Sequence, residues 1–160
     1  MVVLVDSREN ANNHILKWFD EKKIPYKIEK LEYCDYSFML PANPDLGFNR
    51  DLYFTDKISI ERKGNLEEIS SNFTTDRLRL ESEFIRSNGK VHLLIENASY
   101  EDIITHNYKT EYNPSSFLAS LHSFADRYNF SINFIKDNKH SAQFIYYVFY
   151  YFLRNHLLNK

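Results

Sequence analysis

Lys57-Ile58-Ser59-Ile60-Glu61-Arg62-Lys63 alternates apolar and polar side chains, the period of a half-buried strand whose successive residues point to opposite faces. Ile58 and Ile60 take one side; Ser59, Glu61 and Lys63 take the other. Residues two apart on a strand are separated by roughly 7 Å, so an acid and an ammonium at that spacing can both reach one metal-bound phosphate. One carboxylate alone holds a hard divalent cation poorly, because Mg2+ takes one or two carboxylates together with water and phosphate oxygens. A second acid is needed, and Asp35 is the expected one. It stands in Cys34-Asp35-Tyr36-Ser37-Phe38-Met39-Leu40, another alternating run. Neighbouring strands lie about 4.8 Å apart, which would set Asp35 beside Glu61 with Lys63 at the edge of the oxygen cage.

Upstream, Met1-Val2-Val3-Leu4-Val5 is a continuous apolar run of the kind found in strands buried on both faces. Asp6, Arg8 and Glu9 follow at once, where ligand sites of open α/β sheets gather. Taken singly, Asp6 or Ser7 reads equally well as the cap of the next helix. That helix is expected over residues 12–22, with Ile15, Trp18 and Phe19 facing the sheet and His14 given no chemistry.

Val5-Asp6-Ser7-Arg8-Glu9, Asp35-Tyr36 and Glu61-Arg62-Lys63, in that order, resemble the nuclease domain of the XPF and Hef family of structure-specific endonucleases. The resemblance implies a single-domain α/β fold over residues 1–160, a restriction-endonuclease-like mixed central sheet flanked by helices. An isolated nuclease domain is expected, without an appended helix-hairpin-helix or helicase module. The resemblance also implies the roles. Asp35, Glu61 and the backbone carbonyl of Arg62 would hold Mg2+ or Mn2+, and Lys63 would orient the attacking water. Asp6 and Glu9 would bind a second ion or fix the first ion's ligands, and Arg8 and Arg77 would grip DNA phosphate. Three positions depart from the family pattern: Cys34 replaces a Gly, Glu67 stands where a metal-site Asp is expected, and Glu81 replaces a Gln. The expected activity is cutting of branched DNA at a 3′ flap, fork or junction. The alternatives are a non-catalytic DNA-binding or scaffold subunit, and a resolvase or restriction-type nuclease on the same core.

Downstream of the motif strand, Leu66, Ile69, Phe73, Leu80 and Phe84 form one apolar stripe. It reads either as one helix or as two separated at Thr74-Thr75-Asp76. Strands follow at 90–96, ending on a Glu96 read as a cap or solvated group, and at 130–135, with helices between them. The closing helix, Ser141 to Leu158, is apolar or aromatic all round from Phe144 to Leu153. A helix lying on one sheet needs only a stripe. The second face therefore calls for a cover, expected to be a second copy in a homodimer or, alternatively, another layer of the same domain.

Composition sets the outer bounds. With 160 residues, 43% hydrophobic and 16% aromatic, the chain can bury one real core. A net charge of -2 does not announce a nucleic-acid binder, although an acidic cation site itself contributes to that balance. A lone cysteine excludes an internal disulfide, and no Cys/His spacing suits zinc. The run from Phe144 to Leu153 falls short of the roughly 20 residues that span a bilayer, so no membrane is expected. No secretory signal is visible. The setting expected is a reducing cytoplasm in contact with the nucleoid, or a nucleus if the source is eukaryotic.

Overall fold

In the computed structural model, which describes residues 1–158, the opening apolar run forms Val2–Asp6 (β1) between two neighbours. Tyr26–Glu29 (β2) pairs with it in parallel and Tyr36–Leu40 (β3) antiparallel. β3 pairs in turn with Leu52–Tyr53 (β4) and, antiparallel, with Ile58–Lys63 (β5). Lys90–Glu96 (β6) and Phe130–Ile135 (β7) extend the sheet in parallel beyond β5. The main order is β2-β1-β3-β5-β6-β7. Because β1 and β5 each oppose β3, all the other strands share one direction. The last residues of β1, β5 and β6 therefore meet the first residues of β3 along a single edge of the sheet.

Two layers of helix enclose the sheet. Asn13–Glu21 (α1) and Ser141–Leu158 (α6) cover the face carrying Val3, Val5, Phe38 and Ile60. On the other face, Leu66–Thr74 (α2), Arg77–Arg86 (α3), the short Tyr100–Ile104 (α4) and Pro114–Tyr128 (α5) pack over Val91, Leu93 and Ile95. The expected mixed α/β architecture is thus present. α1 follows the periodicity of its apolar residues: Ile15 and Phe19 are fully buried. Burying a side chain such as Phe19 stabilises by about 1.5–3 kcal/mol. Trp18, beside Phe19, rests against Tyr146 of α6 with ring centroids 6.3 Å apart.

Two local expectations resolve against the simpler reading. The stripe from Leu66 to Phe84 is two helices, because hydroxyl groups cap the end of the first. Thr74 Oγ1 donates to Ser70 O at 3.0 Å and Thr75 Oγ1 to Ser71 O at 2.9 Å. Such bonds compete with the helix ladder. β5 is also buried along its whole length rather than on one side. The cause is α2 and α3, which lie over the edge where Ser59, Glu61 and Lys63 point. At the start of β6, Gly89 takes φ +76, and a Cβ there would stand 2.4 Å from Lys57 O, so the chain can close onto β5 only without a side chain.

α6 turns Ala142, Ile145 and Phe149 inward and leaves Tyr147, Tyr150 and Tyr151 exposed. Among the described residues, neither layer of the domain covers these tyrosines. No helix among the described residues is long and apolar enough to cross a membrane.

Candidate active site

Lys63 Nζ donates to Glu61 Oε1 at 2.8 Å, as their shared side of β5 requires. Asp35 is fastened to the residues on either side of Glu61: its N–H donates to Ile60 O at 3.0 Å, and its Oδ2 accepts from Arg62 N–H at 2.8 Å. The acid just before β3 therefore lies against the acid near the end of β5. Glu61 is 5% exposed and Lys63 7%. Burial, with Glu61 and Glu9 adding negative charge nearby, raises the Asp35 pKa well above the ordinary carboxylate range. Burial raises that of Glu61 as well, and the Lys63 charge opposes it only in part. Burial works against the Lys63 ammonium, but Glu61 and Asp35 outweigh it and hold that pKa above its usual value.

These three side chains line a cleft of about 320 Å3 in which carboxylates outnumber cationic groups. No described residue donates to Asp35 Oδ1 or Glu61 Oε2. Among the described residues no three His, Cys, Asp or Glu side chains converge into a complete metal cage. Two carboxylates with a free oxygen each, short of a full cage, make a donor set that fits a cation completing its shell with water and phosphate.

The other expected residues divide. Asp6 is 2% exposed and fully engaged: Oδ1 accepts from Leu31 N–H at 3.0 Å and Oδ2 from Arg8 Nε at 2.7 Å. Arg8 also donates to Leu31 O, so the pair clamps the irregular segment before Asp35 to the end of β1 while half of the Arg8 side chain stays exposed. Glu9 receives the Arg62 guanidinium in a fork, Nε to Oε2 at 3.1 Å and NH2 to Oε1 at 2.8 Å. Alternation sends the Arg62 side chain to the face opposite Glu61 and Lys63, and its NH1 reaches Glu96 Oε2 at 2.7 Å.

Glu67 turns away from the cleft and accepts from Lys109 N–H at 2.9 Å. Glu68 takes the place at the rim. Asn65 caps α2 by accepting from Glu68 N–H at 2.8 Å, while Glu68 Oε2 accepts from Gly64 N–H at 2.7 Å. Arg77 lies outside the cleft, 4.8 Å over the Phe124 ring, and Glu81 pairs with Arg127 and Tyr128 rather than with Arg77. Arg79 and Arg86 line the cleft instead. Cys34, where the family pattern has Gly, takes φ +57. The left-handed region accounts for a Gly there. Here the cost is offset by burial, with Ser59 Oγ donating to the thiol sulfur at 3.3 Å.

The ERCC4 domain model matches residues 5–148. The chain belongs to the ERCC4 domain family. The resemblance carried by the three sequence motifs is thereby borne out, and it places this ERCC4 domain in a family of structure-specific nucleases. The fold is similar to that of XPF from Aeropyrum pernix in complex with DNA, with TM-score 0.68 and 17% identity, over 96% of this chain and 66% of that one. XPF from Aeropyrum pernix gives a second likeness, with TM-score 0.63 and 18% identity, over 91% of this chain and 61% of that one. The ERCC4 domain chain thus spans just under two thirds of the solved chains it resembles. No curated protein matches it in sequence.

Sequence reasoning missed Glu68, Arg79, Arg86, Glu96 and His14 as parts of this ERCC4 domain's cleft and its support. Asn65 followed three residues later by Glu68 was a legible capping signal. His14 and Glu96 carried none.

Proposed function

We propose that the protein is a metal-dependent, structure-specific DNA endonuclease that cuts branched DNA at a flap, fork or junction. The observation that supports this most directly is the convergence of Asp35, Glu61 and Lys63 at the strand ends lining an acid-rich cleft. Asp35, Glu61 and the Arg62 carbonyl would hold Mg2+ or Mn2+, which when bound supplies Lewis acidity to the phosphate and to an attacking water. Lys63, charged in spite of its burial, places a proton donor where negative charge builds on the phosphate. Asp6 and Glu9, already committed to Arg8 and Arg62, serve by fixing the site's walls rather than by taking a second ion. Arg8, Arg79 and Arg86 would grip the phosphates flanking the cut, and Arg77 would meet the backbone farther out.

A homodimer through the exposed tyrosine face of α6 completes the reading. Tyr suits such a face because its ring is apolar and its hydroxyl tolerates water. The deciding experiment is a cleavage assay over labelled flaps, forks, four-way junctions and linear duplexes, with and without Mg2+ or Mn2+, run beside Asp35→Ala. Metal-dependent cutting of branched substrates, abolished in the variant, is the expected result. Binding without cutting in either metal would instead favour a scaffold subunit, and cutting confined to four-way junctions a resolvase.

A further inference from the structure

Glu96 ends β6 with 1% exposure and has both oxygens engaged. Oε2 accepts from Arg62 NH1 at 2.7 Å, and Oε1 faces His14 Nε2 at 2.8 Å. An ionised carboxylate only accepts, so His14 offers Nε2–H to it. Arg62 spreads its remaining donors over Glu9 and the Ala11 carbonyl, and its backbone N–H donates to Asp35 Oδ2 at 2.8 Å. An unbroken series of contacts therefore joins the first turn of α1 to the Asp35 carboxylate. Of this series the hydrolytic scheme uses Asp35 and the Arg62 carbonyl, and neither His14 nor Glu96.

The geometry points to His14 as a positioning residue for Asp35, acting through Glu96 and Arg62. Glu96 is 1% exposed, and once deprived of His14 its carboxylate keeps the Arg62 guanidinium as its one protein donor among the described residues. Drawing that guanidinium toward Glu96 withdraws NH2 from Glu9 and from Ala11 O. The end of β5, and the N–H that orients Asp35, shift with it. His14 itself touches neither the cleft nor any reacting group. α1 keeps its place without it, because Ile15 and Phe19 remain buried and Asn12 Nδ2 donates separately to the Tyr36 hydroxyl at 3.2 Å. Arg62, whose backbone N–H holds Asp35, is the partner one step from that ligand, a contact of the kind that commonly carries about 10–100-fold in metal affinity, and His14 acts on it from two contacts behind. The inference rests on the nuclease reading only for the meaning of Asp35, not for the contacts themselves.

The test compares wild type, His14→Gln and His14→Ala by two measurements. Hydrogen exchange of the Arg62 backbone amide reads the bond to Asp35 with no metal or DNA present. In His14→Ala it should quicken about tenfold while amides in the centre of β6 stay unchanged, and in His14→Gln, whose amide can donate to Glu96 in place of the ring, it should return to wild type. Mn2+ affinity by titration calorimetry should fall about tenfold in His14→Ala and recover in His14→Gln. Unchanged Arg62 exchange in His14→Ala overturns the inference, and so does equal impairment of the Gln and Ala proteins, which marks a packing role alone. If no protein binds Mn2+ while Arg62 exchange follows the expected order, the positioning of Asp35 stands and the metal reading falls.

Discussion

Lys63 and Glu61 form a buried ion pair, Nζ to Oε1 at 2.8 Å, two residues apart on one side of β5. Deleting the ammonium removes the charge that opposes the upward push of burial on the Glu61 pKa. Lys63→Ala should keep the wild-type circular dichroism spectrum and lose about 10²–10³-fold in single-turnover cleavage. Asp35→Ala should behave alike. Undiminished nicking by Lys63→Ala protein would remove Lys63 from the reaction.

The elevated pKa values of Asp35 and Glu61 carry a pH signature. In the unfolded chain these groups ionise near pH 4. Folded, they hold their protons longer. Their contribution to stability is therefore present below that pH and is lost as pH rises through the elevated folded values. A divalent cation bound between them offsets the loss, so Mg2+ should raise the thermal midpoint more at pH 8 than at pH 5. A Mg2+ effect independent of pH, measured by scanning fluorimetry, would contradict the assignment of these two acids to the cation.

Cys34 is 5% exposed, and burial, reinforced by the Glu61 charge, pushes its thiol pKa up. Thiolate is the reactive form. The native protein at pH 8 should resist a disulfide reagent and react fully once unfolded in guanidinium, with colour release followed by absorbance. Cys34→Gly should fold, because relief of a left-handed residue, roughly 1–2 kcal/mol, offsets part of the lost packing. Rapid stoichiometric labelling of the native state is the contrary result.

Arg79 and Arg86 line the cleft whereas Arg77 stands over Phe124. Removing Arg79 and Arg86 together should weaken binding to forked DNA uniformly across sequences. It should also flatten the dependence of log K on log salt by close to two phosphate contacts. Arg77→Ala should cost about 0.5–1 kcal/mol of stability through its ring contact. Fluorescence anisotropy across a salt series measures the first effect and denaturant titration the second. An unaltered salt slope in the double variant would take these arginines off the DNA path.

Tyr147 and Tyr151 stack along the outer side of α6 with centroids 6.0 Å apart. Charges placed there should prevent self-association, so a Tyr147→Glu, Tyr151→Glu protein should run as a monomer where wild type runs as a dimer. Light scattering behind a sizing column decides this. Wild type that stays monomeric at high concentration defeats the homodimer.

Much of this could be read from the chain. The apolar run ending at Asp6, the alternation around Glu61 and the aromatic periodicity of α1 each reflect a local rule that the tertiary structure leaves in place. Three features escaped for physical reasons. The burial of β5 on both sides depends on α2 and α3 folding back over it, which no strand pattern contains. The exchange of Glu67 for Glu68 at the rim turns on one cap, Asn65, which sets the rotation of the whole helix. The contact between His14 and Glu96 joins residues 82 apart, a separation no periodicity can report.

Trp18, the chain's only tryptophan, sits where α1 meets α6, against Tyr146, and is not among the residues that line the cleft. Its emission is accordingly a built-in optical gauge of that seam. Excitation at the red edge of the indole band would register α6 loosening or gaining a cover.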